Sequence, residues 1–382
     1  MSVRVQVKRE ILEWAYNRSM KKEKLHHKFK KLDDWLKGNI QPTLKQLEDF
    51  AKSTSTPLGY FFLQQPPVEE LPIPHYRKID DEFKSNASPD LIETLHMMQR
   101  RQDFMKEYYD EYIGEPLEYV GSYTGSSFEE LASNIRSLLN LDFEWASKIN
   151  QFDKALNYLI SRCEKNRIVV MINGIVGNNT HRKLDVGEFR GFVLVDNTAP
   201  LIFLNGADAK SAQIFTLIHE VAHILIGSSA VVEASPLNEV EEGVEQLCNS
   251  AAAEFLCPKD IFIEKWNTHY ADPGVYKTIG KIFKVSPIVI ARRALDLKRI
   301  TKTEFYSFYT DYKRELENIV SSPASSGHFH NTLRVRLGNL FSSALIYQTK
   351  SGNIPYTDAY RLTGLKGSTF ENYIKFYEGR GM

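Results

Sequence analysis

The chain has 382 residues, 42% of them hydrophobic and 25% charged, and its 48 basic and 48 acidic side chains cancel. This composition is that of an ordinary globular protein of two or three domains, and it excludes a disordered chain. No long apolar run and no signal-peptide pattern occurs, so we expect a cytoplasmic protein without a membrane segment. Three cysteines are too few for a disulfide framework.

Residues 1–63 differ from the rest in being basic, with thirteen Lys or Arg against seven Asp or Glu. Apolar residues recur there at helical spacing, which predicts short helices joined by tight turns. The predicted helices cover 7–17, 21–29, 31–37 and 43–53. We assign 1–65 to a helix-turn-helix module and the proline-rich stretch 66–84 to a linker.

The segment 35–47 contains a Gly-x-x-x-Pro-Thr turn after the third of these helices. In this it resembles the Xre-like repressor domain, and the resemblance implies binding to double-stranded DNA through residues 1–63. The candidate phosphate contacts are Lys30, Lys31 and Lys37. Asp33 and Asp34 repel phosphates, so a degenerate module that contacts protein or dimerises is an equal alternative.

The longest predicted domain covers residues 85–320, and its first part, to about 165, has helical periodicity. Two apolar runs follow at 189–196 and 201–204, separated by Asn-Thr-Ala-Pro, and they predict two strands joined by a tight turn. An edge strand beside the next helix would let an extended substrate add itself as a further strand. The strands can equally form an ordinary sheet under that helix, and the two interpretations do not exclude each other.

His219, Glu220 and His223 form an H-E-x-x-H pattern inside an apolar segment that ends at Gly227, a predicted helix C-cap. On a helix the two histidines lie one turn apart and point the same way, so both can bind one zinc ion. Glu220 can then act as general base on zinc-bound water. Charge-capable groups in an apolar helix need a partner; a pair of core histidines with an ion-paired glutamate is the alternative to a metal.

A catalytic zinc takes three protein ligands, so the next helix, predicted over 239–256, should supply the third. Glu245 lies on the edge of the apolar stripe of this helix, whereas Glu241 and Glu242 are expected to be solvated, which makes Glu245 the preferred ligand. Cys248 is the weaker rival, because a thiolate binds zinc well but a lone buried cysteine is more often a small hydrophobe.

Residues 215–223, Phe-Thr-Leu-Ile-His-Glu-Val-Ala-His, and the run from Glu245 through Asn249 to Pro258 resemble the ImmA/IrrE family of zinc metallopeptidases. Cys248 stands where the family often has alanine. The resemblance implies an α+β, mostly helical, zincin-like domain, with a small sheet plus active-site helices, between the N-terminal bundle and a C-terminal helical segment. It also implies the zinc ligands His219, His223 and Glu245 and the general base Glu220.

The carboxyl-terminal part of the chain is also predicted to be helical. Residues 279–297 predict a small helix pair with Ser286 as a cap, and 321–382 a C-terminal helical segment that starts with a Ser/Pro/Gly-rich loop. His328 and His330 form an H-x-H pair, for which solvent exposure is a more usual explanation than a second metal site.

Together these features predict a zinc endopeptidase. The resemblance implies that its substrate is a regulatory protein such as a repressor or antitoxin, cut in response to stress. The oxyanion-stabilising group is left among His269, Tyr270 and Tyr276. One alternative is a DNA-binding transcriptional regulator or antitoxin that uses the zinc fold as a sensor. Another is a zinc-stabilised scaffold, against which the intact motif argues because a structural site needs no base.

Overall fold

The computed structural model describes residues 4–19, 22–67, 87–228, 230–232, 243–319 and 329–379, with the side chains of 230–232, 316–319 and 329–331 left out. The chain divides into two compact units, Met1–Met97 and Met98–Met382. Among the described residues, no helix is long and apolar enough to cross a membrane. The two predicted linker segments lie outside the described residues from 68 to 84 and from 321 to 327.

Short helices pack around an aromatic core in the first unit. They are α1 (Arg9–Asn17), α2 (Lys22–Lys28), α3 (Leu32–Leu36) and α4 (Leu44–Ser53), followed by a 3₁₀ turn (Leu58–Phe62). The Phe50 ring lies 6.0 Å from the Trp35 ring and 5.9 Å from the Phe61 ring. A capping box of Thr43 and Gln46 starts α4. The four predicted helices are confirmed, with ends within about two residues.

The second unit is built on a mixed sheet with the strand order β1-β5-β4-β6. Its strands are β1 (Val169–Asn173), β4 (Gly191–Leu194), β5 (Leu201–Asn205) and β6 (Ala230–Val232), while β2 (Ile175–Val176) and β3 (Asn179–Lys183) form a separate hairpin. β1 runs parallel to β5, and the other two pairs are antiparallel. The strands predicted at 189–196 and 201–204 are confirmed as the antiparallel pair β4 and β5.

Helices precede and follow the strands of this sheet along the chain. Before it come α5 (Pro89–Tyr112), α6 (Phe128–Leu139) and α7 (Phe152–Lys165), which confirm the helical prediction for the stretch up to 165. Between β5 and β6 lies α8 (Lys210–Ile226), and after β6 comes α9 (Val244–Leu256). The remaining helices are α10 (Lys259–His269), α11 (Val275–Phe283), α12 (Pro287–Asp296), α13 (Lys302–Ile319), α14 (Phe329–Leu337), α15 (Asn339–Lys350), α16 (Tyr356–Thr363) and α17 (Ser368–Glu378).

Two sequence predictions about these helices can be compared with their bounds. The helix predicted over 239–256 is confirmed from Val244 onward, while Glu239, Glu241 and Glu242 lie outside the described residues. The Ser286 hydroxyl accepts a hydrogen bond from the Val289 amide, so the predicted cap of α12 is also confirmed. The α+β, mostly helical fold class predicted from the sequence is confirmed as well.

The sheet is covered on both faces. All residues of β1, β4 and β5 are buried, as expected of strands with helices on either side. Val170, Val193 and Ile202 join the core formed with α7 and α8. On β1 the alternate residues face away from that core, toward α14 and α15, which pack against the same strand.

Neither strand of the predicted hairpin is an edge of the described sheet. β6 pairs along the outer side of β4, with Val232 opposite Gly191 and Ala230 opposite Val193. The chain turns back along β4 directly after α8, so β4 is flanked by a strand on both sides. The edges of the described sheet are β1 and β6.

Gly338, between α14 and α15, lies directly against the backbone of β1. Its φ is +73°, a conformation that side chains disfavour, and an added Cβ would lie 2.5 Å from the Val170 carbonyl oxygen. The next residue is held from the other side, because Glu164 of α7 accepts hydrogen bonds from the Asn339 amide at 3.1 Å and from its Nδ2 at 3.0 Å. These contacts fix the C-terminal helices on the sheet.

We expect Gly338→Ala to lower the thermal midpoint of the second unit more than Gly352→Ala does. Gly352 has nearly the same φ, +74°, but no atom within 4 Å of an added Cβ, so its variant tests a side chain at positive φ without a clash, at a cost of about 1–2 kcal/mol. The Val170 clash adds to that cost in Gly338→Ala. Differential scanning calorimetry measures both variants, and equal midpoints would contradict the close packing on β1.

Asp196 organises the turn between β4 and β5. Its carboxylate accepts hydrogen bonds from Lys106 at 2.8 Å and from the amides of Thr198 at 2.8 Å and Ala199 at 3.1 Å. Burial by itself raises the pKa of Asp196, but these hydrogen bonds outweigh burial and lower the pKa to about 2. The charged carboxylate therefore stabilises the folded state.

We expect Asp196→Asn to be less stable than the wild type at neutral pH, with the difference narrowing as the pH falls from about 5 toward about 2. The direction follows because the pKa is lower in the folded state, so the unfolded chain takes up the proton first as the solution becomes acidic. Urea unfolding across this range measures the difference. Asp110→Asn, on the exposed face of α5, is the control for losing one acidic side chain. A gap that stays constant with pH would contradict the prediction.

Candidate metal centre

The helix that carries the H-E-x-x-H pattern is α8, buried along most of its length. It ends at Gly227, which has a φ of +81° and whose amide donates a hydrogen bond to the His223 carbonyl. Gly227 is therefore the predicted C-cap. The segment that contains Gly121 and Tyr123 also binds this end of the helix, because the amides of these two residues donate hydrogen bonds to the carbonyls of Ile224 and Leu225. The last turn of α8, with His223 in it, is therefore fixed by backbone hydrogen bonds.

His219, His223 and Glu245 bring three donor atoms together within 4.8 Å. The two Nε2 atoms are 3.0 Å apart, and the Glu245 oxygens lie 3.3 Å from His219 Nε2 and 3.2 Å from His223 Nε2. Ligand atoms about 2.1 Å from a tetrahedral zinc ion lie about 3.4 Å from one another. The separations of this trio therefore fit a single ion of that size.

Burial of these groups is uneven. His219 and His223 are 1% and 0% exposed, whereas the Glu245 side chain is 38% exposed, so the trio reaches solvent on the Glu245 side. His219 Nδ1 and both carboxylate oxygens of Glu220 are buried without a hydrogen-bond partner among the described residues. Buried polar atoms without protein partners are uncommon and are typical of a ligand-binding or reactive site.

Electrostatics separate the two glutamates. Burial raises the pKa of Glu220 well above its usual range, and the nearby Glu245 carboxylate raises it further. Burial also raises the pKa of Glu245, but hydrogen bonds and charge from the two imidazoles outweigh it and hold that pKa well below its usual range. Glu245 is thus the charged member of the site, and Glu220 is the carboxyl with affinity for a proton.

Two arginines hold α9, the helix that presents Glu245 in its first turn. At its carboxyl end Arg136 donates to the Phe255 carbonyl at 2.5 Å, and Arg293 donates to the Cys257 carbonyl at 3.1 Å. Arg293 also forms a buried ion pair with Glu254. These bonds satisfy carbonyls at the end of the helix, and small residues let α9 pack closely on α6 and α8. Neither arginine belongs to the H-E-x-x-H pattern, so neither was identified from the sequence.

Cys248 is not part of the donor group. Its thiol is fully buried, and burial raises its pKa well above the usual range, with further contributions from Glu245 and Glu220. A buried thiol commonly packs as a small apolar group. The geometry of the donor atoms therefore favours Glu245 over this rival.

Gly191 of β4 allows the strand to approach α8 closely. A Cβ on Gly191 would lie 2.6 Å from Thr216 Cγ2, 2.8 Å from the Phe203 carbonyl oxygen and 3.5 Å from Glu220 Oε1. A side chain at this position would therefore force the strand away from the helix, and the Glu220 carboxyl lies beside β4. Sequence reasoning missed this residue; the glycine at the start of an apolar strand was its only signal.

The three candidates for stabilising an oxyanion have other contacts. His269 pairs with Asp272 at 2.8 Å, Tyr270 is 67% exposed, and Tyr276 packs against other aromatic rings. Their assignment stays a prediction.

The remaining predicted contacts lie elsewhere in the chain. Lys30, Lys31 and Lys37 are exposed around α3, but Asp33 is exposed beside them. DNA binding through residues 1–63 therefore stays a prediction, together with the alternative of protein contact. His328 and the side chain of His330 lie outside the described residues.

Comparison with known families covers two parts of the chain. Residues 163–295 match the model of the IrrE N-terminal-like domain, a peptidase family, and residues 337–376 match a domain of unknown function (DUF8813). No curated protein matches the chain. The first segment contains the whole sheet, α8 and α9, so the match supports a zincin-like fold, the resemblance to the ImmA/IrrE family and a metallopeptidase-type function in general.

We expect Glu245→Gln to weaken zinc binding at least about a hundredfold, because even the loss of a group that only supports a ligand costs about 10- to 100-fold. Cys248→Ser is the matched control on the same helix and is expected to keep its zinc affinity. Competition titration against a chelator of known affinity measures both variants, and circular dichroism checks their folding. The opposite ranking would contradict the assignment of Glu245 and revive Cys248 as the ligand.

Proposed function

We propose that this chain is a zinc-dependent endopeptidase that cuts a regulatory, repressor-like or antitoxin-like protein. His219, His223 and Glu245 hold the zinc ion, and Glu220 is the general base. The observation that carries the proposal is the compact trio of donor atoms beside a buried carboxyl whose two oxygens have no described hydrogen-bond partner. The family match of residues 163–295 supports the same chemistry.

The number of protein donors favours catalysis over a structural role. Structural zinc sites are usually closed by four protein ligands, whereas catalytic sites use three and keep one position open. The described donor group has three members, and its partly exposed member, Glu245, lies on the solvent side. A zinc-stabilised scaffold would also have no use for a buried glutamate next to its ligands.

The chemistry divides between the ion and the protein. A zinc ion, when bound, supplies a Lewis acid that polarises a peptide carbonyl and makes water more acidic. Glu220 accepts a proton from the attacking water and then passes the proton to the leaving amine. Glu245, as the charged carboxylate, holds the two imidazoles in place.

The nature of the substrate rests on the resemblance to the ImmA/IrrE family. It implies a narrow specificity for a DNA-binding regulator rather than digestion of many proteins. The alternative, a DNA-binding regulator that uses the zinc fold as a sensor without proteolysis, makes a different prediction for Glu220. A sensor needs the three ligands but has no use for a general base.

We expect Glu220→Gln to retain zinc and to lose cleavage by at least about a hundredfold, the usual contribution of a general base. The assay incubates zinc-loaded protein with the DNA-binding proteins encoded beside its gene and follows fragments by mass spectrometry. Glu264→Gln, an exposed change on α10, is the control and is expected to cut at the wild-type rate. Cleavage that survives in Glu220→Gln would contradict the base assignment. Zinc-loaded wild type that cuts none of these proteins would favour the sensor.

A further inference from the structure

β6 covers the side of β4 that faces away from the rest of the sheet. It follows α8 after a connection of only three residues, 227–229, and runs antiparallel to β4. Val232 lies opposite Gly191, Val231 opposite Phe192 and Ala230 opposite Val193. The other side of β4 is paired with β5, which is itself locked between β4 and β1. The β6 side is therefore the side of β4 that can change its partner without breaking the rest of the sheet.

The residue of β4 that lies beside Glu220 is also one that β6 pairs with. An added Cβ on Gly191 would be 3.5 Å from Glu220 Oε1, so the strand backbone forms a wall next to this carboxyl. An extended peptide bound along β4 would thus run past Glu220. Pairing of main chains is the usual way in which a sheet holds an extended peptide, and it needs an unpaired strand edge.

The burial of the site is consistent with an occupied edge. Glu220 and His223 are 0% exposed and His219 is 1% exposed. A peptide bond must nevertheless reach Glu220 to be cut. β6 has three residues, against five in β1 and β5, so few ladder bonds hold it. A substrate strand would make bonds of the same kind with β4, so an exchange of strands replaces what it breaks.

We propose that β6 occupies, within the chain itself, the edge of β4 on which an extended substrate pairs, and that it must leave this edge before a peptide reaches Glu220. The inference rests on the proposed function, because it takes Glu220 as the group that acts on the substrate. It adds an intramolecular competitor for substrate binding. The structural alternative is a substrate that adds to the outer edge of β6, with β6 staying in place.

The test ties β6 to β4 with a disulfide in the double variant Val193→Cys/Ala230→Cys. These residues lie directly opposite each other, and Cα atoms of opposed residues in antiparallel strands are about 4.5–5.5 Å apart, within the range that a disulfide spans. The single variants, treated with the same oxidant, are the controls for oxidation at the buried native cysteines Cys163, Cys248 and Cys257.

Two probes are titrated into the zinc-loaded protein by calorimetry. One is a tripeptide hydroxamate, which joins a zinc-binding group to an extended backbone, and the other is acetohydroxamate, which has no such backbone. We expect the disulfide to weaken binding of the tripeptide hydroxamate at least tenfold relative to the reduced form of the same protein. Acetohydroxamate is expected to bind both forms equally, because it does not need the edge of β4.

Each outcome decides the proposal. Equal binding of the tripeptide hydroxamate in both forms would overturn it and favour the outer edge of β6. A cysteine pair that does not close under oxidant would overturn the β4–β6 pairing itself. Acetohydroxamate separates failure of this inference from failure of the proposed function. If acetohydroxamate binds and the disulfide does not change binding of the tripeptide hydroxamate, only this inference fails. If the protein binds neither zinc nor either probe, the proposed function fails as well.

Amide hydrogen exchange on the wild type provides a second measurement, which does not depend on the folding of the variant. We expect the amides of Ala230–Val232 to exchange faster when the tripeptide hydroxamate is bound and to be unchanged by acetohydroxamate. Slower exchange at β6 in the presence of the peptide probe would instead show that the peptide adds to β6, and would overturn the proposal.

Discussion

Burying two imidazoles and a carboxyl group inside an apolar helix is costly unless each group finds a partner, and much of the second unit follows from this constraint. His219 and His223 find theirs in Glu245, which comes from a different helix. α9 must therefore be held at a fixed distance from α8. Glu220 receives no such partner among the described residues, so its carboxyl keeps the high pKa that burial gives it.

The sheet and the helix ends meet this constraint. Gly191 lets β4 lie close against α8, and the amides of Gly121 and Tyr123 satisfy the carbonyls where α8 ends. Arg136 and Arg293 do the same for α9 by donating to its last carbonyls. A movement of either helix by an ångström would separate the Glu245 oxygens from the two imidazole nitrogens, which are now 3.2 and 3.3 Å away. Precision at the site thus comes from residues that have no chemical role in it.

Short sequence patterns predicted the features that depend on interactions between residues close together in the chain. Helical periodicity placed α1 to α4, the H-E-x-x-H spacing placed His219 and His223 on one face of a helix, and Gly227 marked its end. Glu245 is the preferred third ligand from the sequence because a carboxylate on the edge of the apolar stripe is more likely to face the core than Glu241 or Glu242, and the structure places it beside the two histidines. What the sequence could not show depends on contacts distant along the chain: Arg136 reaches Phe255, and β6 pairs with β4. The sequence did not predict that β4 is paired on both sides, because the three residues of β6 have no strong pattern of their own.

The close contact of Gly338 with β1 has a consequence for the order in which the second unit folds during synthesis. The face of the sheet opposite α8 is covered near β1 by α14 and α15, which lie more than 150 residues further along the chain. The segment 163–295, which matches the peptidase family, therefore carries a strand whose apolar residues are covered by helices outside its own limits. A ribosome that has just finished α12 has made every residue of the proposed metal centre but not the cover of its sheet. The core on this side of the sheet can close only after the carboxyl-terminal helices have been made. The residues of the proposed metal centre are therefore synthesised before those that complete the packing.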